Sequence, residues 1–299
     1  MTRRTVALKG VFPPIPTSFD RQGRLDLGAL ADNLQRWNQH ELAGYVVLGS
    51  NGEPVYVGQD EKVRVWQAAR DAIPDHKLMI AGTGCESTRD TVHLTRLAAD
   101  AGADAALVVT PHYYSGQMTG ESLLRHYLTV ADSSPIPVML YNVPKFTNVD
   151  MDAATVAEAS QHASLIGIKD SSGNIAKLSD LVRLVDPGFQ VLVGTGSVFF
   201  SGLALGAVGG ILALANVAPQ ECVEILKLFE DGQWDEAAEL QRRLLPVNTA
   251  VTARFGIPGL KAALDLLGYY GGPVRPPLLD LSAADREALR SVLVEAGLV

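Results

Sequence analysis

The stretch Leu165-Ile166-Gly167-Ile168-Lys169-Asp170 decides the reading of the fold. It is apolar without the polar alternation of a half-exposed strand, and it ends abruptly on two charges. A short run of this kind reads as a strand buried on both faces, as in a parallel sheet covered by helices. Comparable runs lie at 11–14, 45–48, 78–81, 105–109, 138–141, 191–194 and 210–213, bounded by Gly, Pro, Asn or Thr. Between them come segments of helical spacing, such as Val92, Leu94, Leu97, Ala98 and Ala101, or Leu123, Leu124, Tyr127, Leu128 and Ala131. Strands that alternate with helices in eight successive units predict an α/β fold, a (β/α)8 TIM barrel over residues 1–231. A doubly wound sheet would need a glycine-rich turn after the first strand, where Pro13-Pro14-Ile15-Pro16 stands instead. Helical segments at 234–245, 258–267 and 282–296, the last opening on Ser282 as N-cap, predict a C-terminal helical extension over 232–299, packed on the barrel.

Composition narrows the function classes. With 299 residues, 47% hydrophobic and 19% charged, the chain is a packed globular protein able to bury about three quarters of its unfolded surface. A net charge of −8 without basic stripes argues against a nucleic-acid partner. The two cysteines, Cys85 and Cys222, are too far apart for a thiolate metal spacing and build no disulfide framework. The most apolar runs fall short of the roughly 18 residues that span a bilayer. The arginines near the start lead into no apolar signal core. The expectation is a cytoplasmic enzyme with no membrane partner.

In a barrel of this type the reacting groups sit at the carboxyl ends of the strands. Lys169 ends the sixth predicted strand, where its ammonium would be partly desolvated. Desolvation favours the neutral amine, a nucleophile that forms a Schiff base with a ketone. The alternative is a lysine that snorkels from the barrel mouth or pairs with Asp170. Tyr141 ends the neighbouring strand and either shuttles protons or is a core tyrosine with a satisfied hydroxyl. The turn Gly49-Ser50-Asn51-Gly52-Glu53 offers hydroxyl, amide and backbone donors suited to a small carboxylate, or is a plain loop. Gly194-Thr195-Gly196-Ser197 holds no basic residue, which favours close backbone approach to a small ligand over a phosphate site. Of six histidines only His112 falls at the catalytic end, too few for a zinc site, so no metal is expected. Cys85 reads as a packed thiol.

With these residues in place, the chain resembles the dihydrodipicolinate synthase/N-acetylneuraminate lyase superfamily. The resemblance spans nearly the whole sequence. It runs from Gly49-Ser50-Asn51-Gly52-Glu53 through Tyr141-Asn142-Val143-Pro144 to Gly167-Ile168-Lys169-Asp170. Further stretches, among them Ala81-Gly82-Thr83-Gly84-Cys85-Glu86-Ser87-Thr88 and Arg254-Phe255-Gly256-Ile257-Pro258-Gly259-Leu260-Lys261, look most like 4-hydroxy-2-oxoglutarate aldolase.

The resemblance implies a class I aldolase that cleaves 4-hydroxy-2-oxoglutarate to pyruvate and glyoxylate without a cofactor. Lys169 would bind the keto carbon of this small 2-keto acid and Tyr141 would relay protons. Ser50 and Asn51 would contact the substrate, Ser171 would lie near its far end, and Gly194 and Ile211 would line the pyruvate pocket. Tyr113 would enter the site of a neighbouring subunit, in a homotetramer built from two tight dimers. One departure matters: dihydrodipicolinate synthases usually carry an arginine where Phe146 stands, after Lys145. An aromatic ring cannot replace a bidentate guanidinium. Condensation of pyruvate with aspartate semialdehyde is therefore disfavoured, and a sister aldolase or dehydratase for a 2-keto-3-deoxy sugar acid is the alternative.

Overall fold

The computed structural model describes residues 6–299. Residues 1–5, which hold the two arginines and part of the stretch read as lacking an apolar signal core, lie outside the described residues. The chain opens with strands β1 (Gly10–Phe12) and β2 (Pro14–Ile15), then α1 (Leu27–Trp37), β3 (Gly44–Val47), α2 (Gln59–Ala72), β4 (Leu78–Gly82) and α3 (Thr88–Asp100). It continues with β5 (Ala105–Val109), α4 (Gly120–Ser133), β6 (Val138–Asn142), the short α5 (Pro144–Thr147), α6 (Ala153–Ala159), β7 (Leu165–Asp170) and α7 (Ile175–Leu184). The circuit ends with β8 (Gln190–Val193), α8 (Phe199–Ala204), β9 (Gly209–Ile211) and α9 (Pro219–Glu230). Three more helices follow: α10 (Trp234–Thr249), α11 (Gly256–Leu266) and α12 (Ala283–Glu295).

All nine strands are parallel, in the order β1-β9-β8-β7-β6-β5-β4-β3-β2. The first and last strands of that order are halves of one predicted strand, split at Pro13. A proline has no N–H to give to a ladder. The carbonyls on either side keep the barrel closed: Phe12 O accepts from Leu212 N at 3.0 Å, and Pro13 O accepts from Val46 N at 3.0 Å. The result is a (β/α)8 barrel whose first stave changes partner midway.

Side chains alternate across the wall. Phe12, Val46, Ile80, Leu107, Met139, Tyr141, Leu192 and Ile211 form the barrel's interior cluster, with Leu8 packed at its N-terminal end. Val11, Tyr45, Val47, Ala81, Val108, Leu140, Ile168 and Val193 face the surrounding helices in a separate cluster. Both faces are apolar because both are buried, which is why the sequence shows no alternation. Helix starts follow capping chemistry: Asp26, Ser87, Asp152 and Ser282 each accept a backbone N–H three residues on. Helices α10 and α11 are joined by a π-turn, Ala250–Arg254, and α11 packs against it.

Between α3 and α4 lies a buried titratable group, His126, whose Nδ1 is 2.9 Å from Thr88 Oγ1. Burial pulls its pKa down to about 4. The folded protein therefore keeps this imidazole neutral in a range where the unfolded chain protonates it. Stability from this group is complete above the ordinary histidine range and falls as pH drops toward 4. The expected loss between pH 7 and pH 5 is about 2 kcal/mol, read as a shift in urea midpoint. His126→Gln should flatten that part of the pH curve, and an unchanged slope would show that His126 does not control it.

Candidate active site

Strand β7 presents two adjacent charged residues to opposite sides of the barrel wall. Lys169 is only 3% exposed and pairs in register with Tyr141 on β6 and Leu192 on β8, both of the interior cluster. Its Nζ lies 4.0 Å from the centroid of the Tyr141 ring. The Tyr141 hydroxyl is 3.2 Å from Ser50 Oγ, in the turn that follows β3. Among the described residues Lys169 forms no ion pair.

Asp170, the expected competitor for that lysine, points the other way. Its carboxylate accepts from Asn142 Nδ2 at 2.9 Å and from Ser172 N at 3.0 Å, and Lys177 of α7 lies 3.5 Å away. Asn142 also donates to Asp150 Oδ1 at 2.8 Å and accepts from Met151 N at 3.0 Å, while Lys177 ion-pairs with Asp150. The four side chains hold the ends of β6 and β7 together behind the lysine. Pairing with Asp170 is thus excluded as the role of Lys169.

The other expected residues divide into two groups. Asn51 sits beside Ser50 in a one-turn 3-10 helix, with its Nδ2 shielded from solvent and without a protein partner. Ser171 donates from Oγ to Gly194 O at 3.3 Å, just past the ends of β7 and β8. Gly194 is there because nothing larger fits: a Cβ would lie 2.0 Å from Ser171 Oγ and 2.8 Å from Asp170 O. Ile211 is fully buried in the interior cluster. Tyr113 is different. It is 76% exposed and stacks edge-on with Tyr114, away from the interior cluster that holds Tyr141. Its loop is firmly held, since Glu86 accepts from His112 N at 2.9 Å and Tyr113 N at 2.8 Å and pairs with the His112 ring.

His112 is accordingly a loop residue paired with Glu86. Cys85 is half-buried, and burial pushes its thiol pKa up, away from the thiolate. Among the described residues no group of three His, Cys, Asp or Glu side chains is placed to hold a metal ion, and no helix is long and apolar enough to cross a membrane.

The roles of several supporting residues escaped the sequence reading: Asn142, Asp150, Lys177, Lys261 and Arg275. Their partners are distant in sequence, so spacing cannot reveal the pairs. One signal was present, the single Lys261 inside the apolar run Gly259-Leu260-Lys261-Ala262-Ala263-Leu264.

A family model described as the dihydrodipicolinate synthetase family matches residues 7–296. The 4-hydroxy-tetrahydrodipicolinate synthase of Methanothrix thermoacetophila is 38% identical over 290 residues, covering 96% of each chain. Among solved structures, dihydrodipicolinate synthase from Bacillus anthracis superposes with a TM-score of 0.93 at 28% identity, covering 97% of this chain and 99% of that one. A prophage protein of the same family from E. coli K12, solved in complex with pyruvate, gives a TM-score of 0.93 at 31% identity, covering 98% of this chain and 100% of its own. These relatives bear out the superfamily and carry synthase or family-level names, not the name of the 4-hydroxy-2-oxoglutarate aldolase that the motifs led us to expect.

The wall behind the site provides a stability test. Lys177→Met would leave the buried Asp170 facing no cation, and breaking a buried pair from one side costs about 3 kcal/mol. Chemical denaturation should report a loss of that order. A loss below about 1 kcal/mol would mean that Asn142 and Ser172 hold Asp170 without the lysine.

Proposed function

Because the chain belongs to the dihydrodipicolinate synthetase family, we propose that it is a pyruvate-forming Schiff-base aldolase whose substrate is 4-hydroxy-2-oxoglutarate. The observation that carries this reading is Lys169, buried, free of any carboxylate and 4.0 Å from the Tyr141 ring, with Ser50 on the Tyr141 hydroxyl. Lys169 adds to the C2 ketone, and loss of water gives an iminium. The C4 hydroxyl then loses its proton, the C3–C4 bond breaks, and its electron pair moves into the iminium to leave an enamine and glyoxylate. Protonation of the enamine at C3 and hydrolysis release pyruvate and free Lys169. The iminium itself is the electron sink, so the chemistry calls for no cofactor.

In this scheme Tyr141 and Ser50 move protons at the substrate oxygens. Asn51, with its free amide donor, and the backbone of the same turn receive the substrate carboxylate. Gly194 and Ile211 form the floor against pyruvate, and Ser171 meets the distal half. Tyr113, exposed on its stiff loop, completes the site of a second copy in a tetramer of two tight dimers.

Phe146 counts against the condensation for which several relatives are named, and it departs as well from the smaller residue that the oxoglutarate aldolases carry at this place. It is 52% exposed at the start of the chain's path away from Tyr141, where a synthase would present an arginine. Lys145 beside it donates to Thr252 O at 2.8 Å. An apolar ring at this place is the observation that favours a second reading, a 2-keto-3-deoxy sugar acid, whose distal half, unlike that of 4-hydroxy-2-oxoglutarate, carries no second carboxylate.

Borohydride added with pyruvate should fix an adduct on Lys169, located by peptide mass mapping; an unmodified lysine would sink the mechanism. A panel of 2-keto acids read by pyruvate release should show turnover of 4-hydroxy-2-oxoglutarate. Release only from six-carbon sugar acids would select the second reading. Phe146→Arg should raise condensation of pyruvate with aspartate semialdehyde by about tenfold or more, since a bidentate guanidinium–carboxylate contact contributes of order 1.5–3 kcal/mol.

A further inference from the structure

The turn that carries Ser50 is held in an unusual backbone conformation. Among the described residues three non-glycines have positive φ, and two of them, Leu48 at +60° and Glu53 at +53°, bracket the Ser50–Asn51 step. Such conformations persist only where the surroundings impose them. Neither residue is a loop-tip asparagine or aspartate of the sort that tolerates this region. Leu48 is 2% exposed and Glu53 is 1% exposed.

Glu53 is held from the C-terminal extension. Glu53 Oε1 is 2.6 Å from Lys261 Nζ of α11, itself 1% exposed. Glu53 Oε2 accepts from Arg275 N at 2.8 Å. Lys261 also donates to Pro273 O at 2.8 Å. The Phe19 ring lies between the two cations, 4.5 Å from Lys261 Nζ and 4.3 Å from Arg275 Cζ. The Arg275 side chain forks onto Glu61 and reaches Gly23 O and Tyr56 O. The turn is fixed from its other side by Thr17, whose Oγ1 donates to Gly52 O at 2.6 Å. A carboxylate this deeply buried is costly unless paired, and a hydrophobic core would do as well for stability alone. Its position three residues from Ser50, at the strained end of the turn, gives the pair a second consequence.

The geometry points to Glu53 as a positioning residue: its ion pair with Lys261 fixes the turn so that Ser50 Oγ meets the Tyr141 hydroxyl and the proton relay is aligned. The inference rests on the Schiff-base reading above and deepens it. Glu53 does not touch substrate in this account. It acts through the 3.2 Å contact between Ser50 and Tyr141.

The test uses pyruvate alone, so it does not depend on the identity of the aldehyde. In heavy water the enzyme should exchange the methyl protons of pyruvate through the enamine, and borohydride should trap the adduct on Lys169. Glu53→Gln/Lys261→Met removes both buried charges together. It should slow exchange by about tenfold while leaving the trapped fraction at saturating pyruvate unchanged. In a Ser50→Ala background the same double change should slow exchange by less than twofold, because the two perturbations share one path. If the double variant does not fold, Glu53→Gln alone, which keeps an acceptor for Arg275 N, carries the comparison. Exchange within twofold of wild type, or an equal loss in both backgrounds, would overturn the positioning role while leaving the aldolase reading intact. A wild-type enzyme that neither traps nor exchanges pyruvate would overturn the aldolase reading and this inference with it.

Discussion

A two-residue periodicity governs what the β7 end can do. Because successive side chains of a strand leave on opposite faces, Lys169 enters the barrel and Asp170 enters the helical layer, although they are neighbours in the chain. A carboxylate inside the barrel would tie the lysine up in an ion pair. Outside it, the same carboxylate is taken by Asn142, Ser172 and Lys177. Lys169 is left with an aromatic face and apolar walls, and the Asp170 carboxylate is used to lock β6 to β7.

The second consequence of the barrel concerns the residues beyond it. Helix α11 and the segment that follows it add no strand, yet Lys261 and Arg275 reach the catalytic end and hold the Ser50 turn through Glu53. A turn with two left-handed non-glycine residues would relax if it were only a loop connection. Here it is held by Thr17 on one side and, from outside the barrel, by a helix more than two hundred residues away in sequence. The extension and the barrel therefore share one buried polar network.

That network marks the limit of what the sequence discloses. The strands were legible because burial on both faces leaves an uninterrupted apolar run, and 105–109 is bounded identically in sequence and structure. The first strand was legible in position but not in form, since the break at Pro13 depends on which neighbour each carbonyl meets. Lys169 and Tyr141 stood out because a polar group ended an apolar run. Lys261 stood inside such a run and was passed over, and Asn142 was visible without an interpretable role. Their partners, Glu53 for the one and Asp150 and Asp170 for the other, are fixed by tertiary packing rather than by any local period. The exposed Tyr113 shows the converse case: motif resemblance gives it a role that a single chain does not bring to the site.

The site is also graded in rigidity from floor to mouth, and the gradient bears on how substrate choice is set. At the floor, Lys169, Tyr141 and Ile211 are packed into the barrel wall, so any change there perturbs strand packing as well as chemistry. At the mouth, Phe146 is half-exposed on the short α5, and Lys145 reaches a carbonyl of the π-turn and the Phe146 ring. Substitution at the mouth leaves the floor untouched, because α5 contributes no side chain to the interior cluster. A barrel organised in this way can keep one electron sink and exchange the group that reads the aldehyde. Near-identical backbones can then accompany different second substrates, so likeness of fold does not by itself fix the reaction.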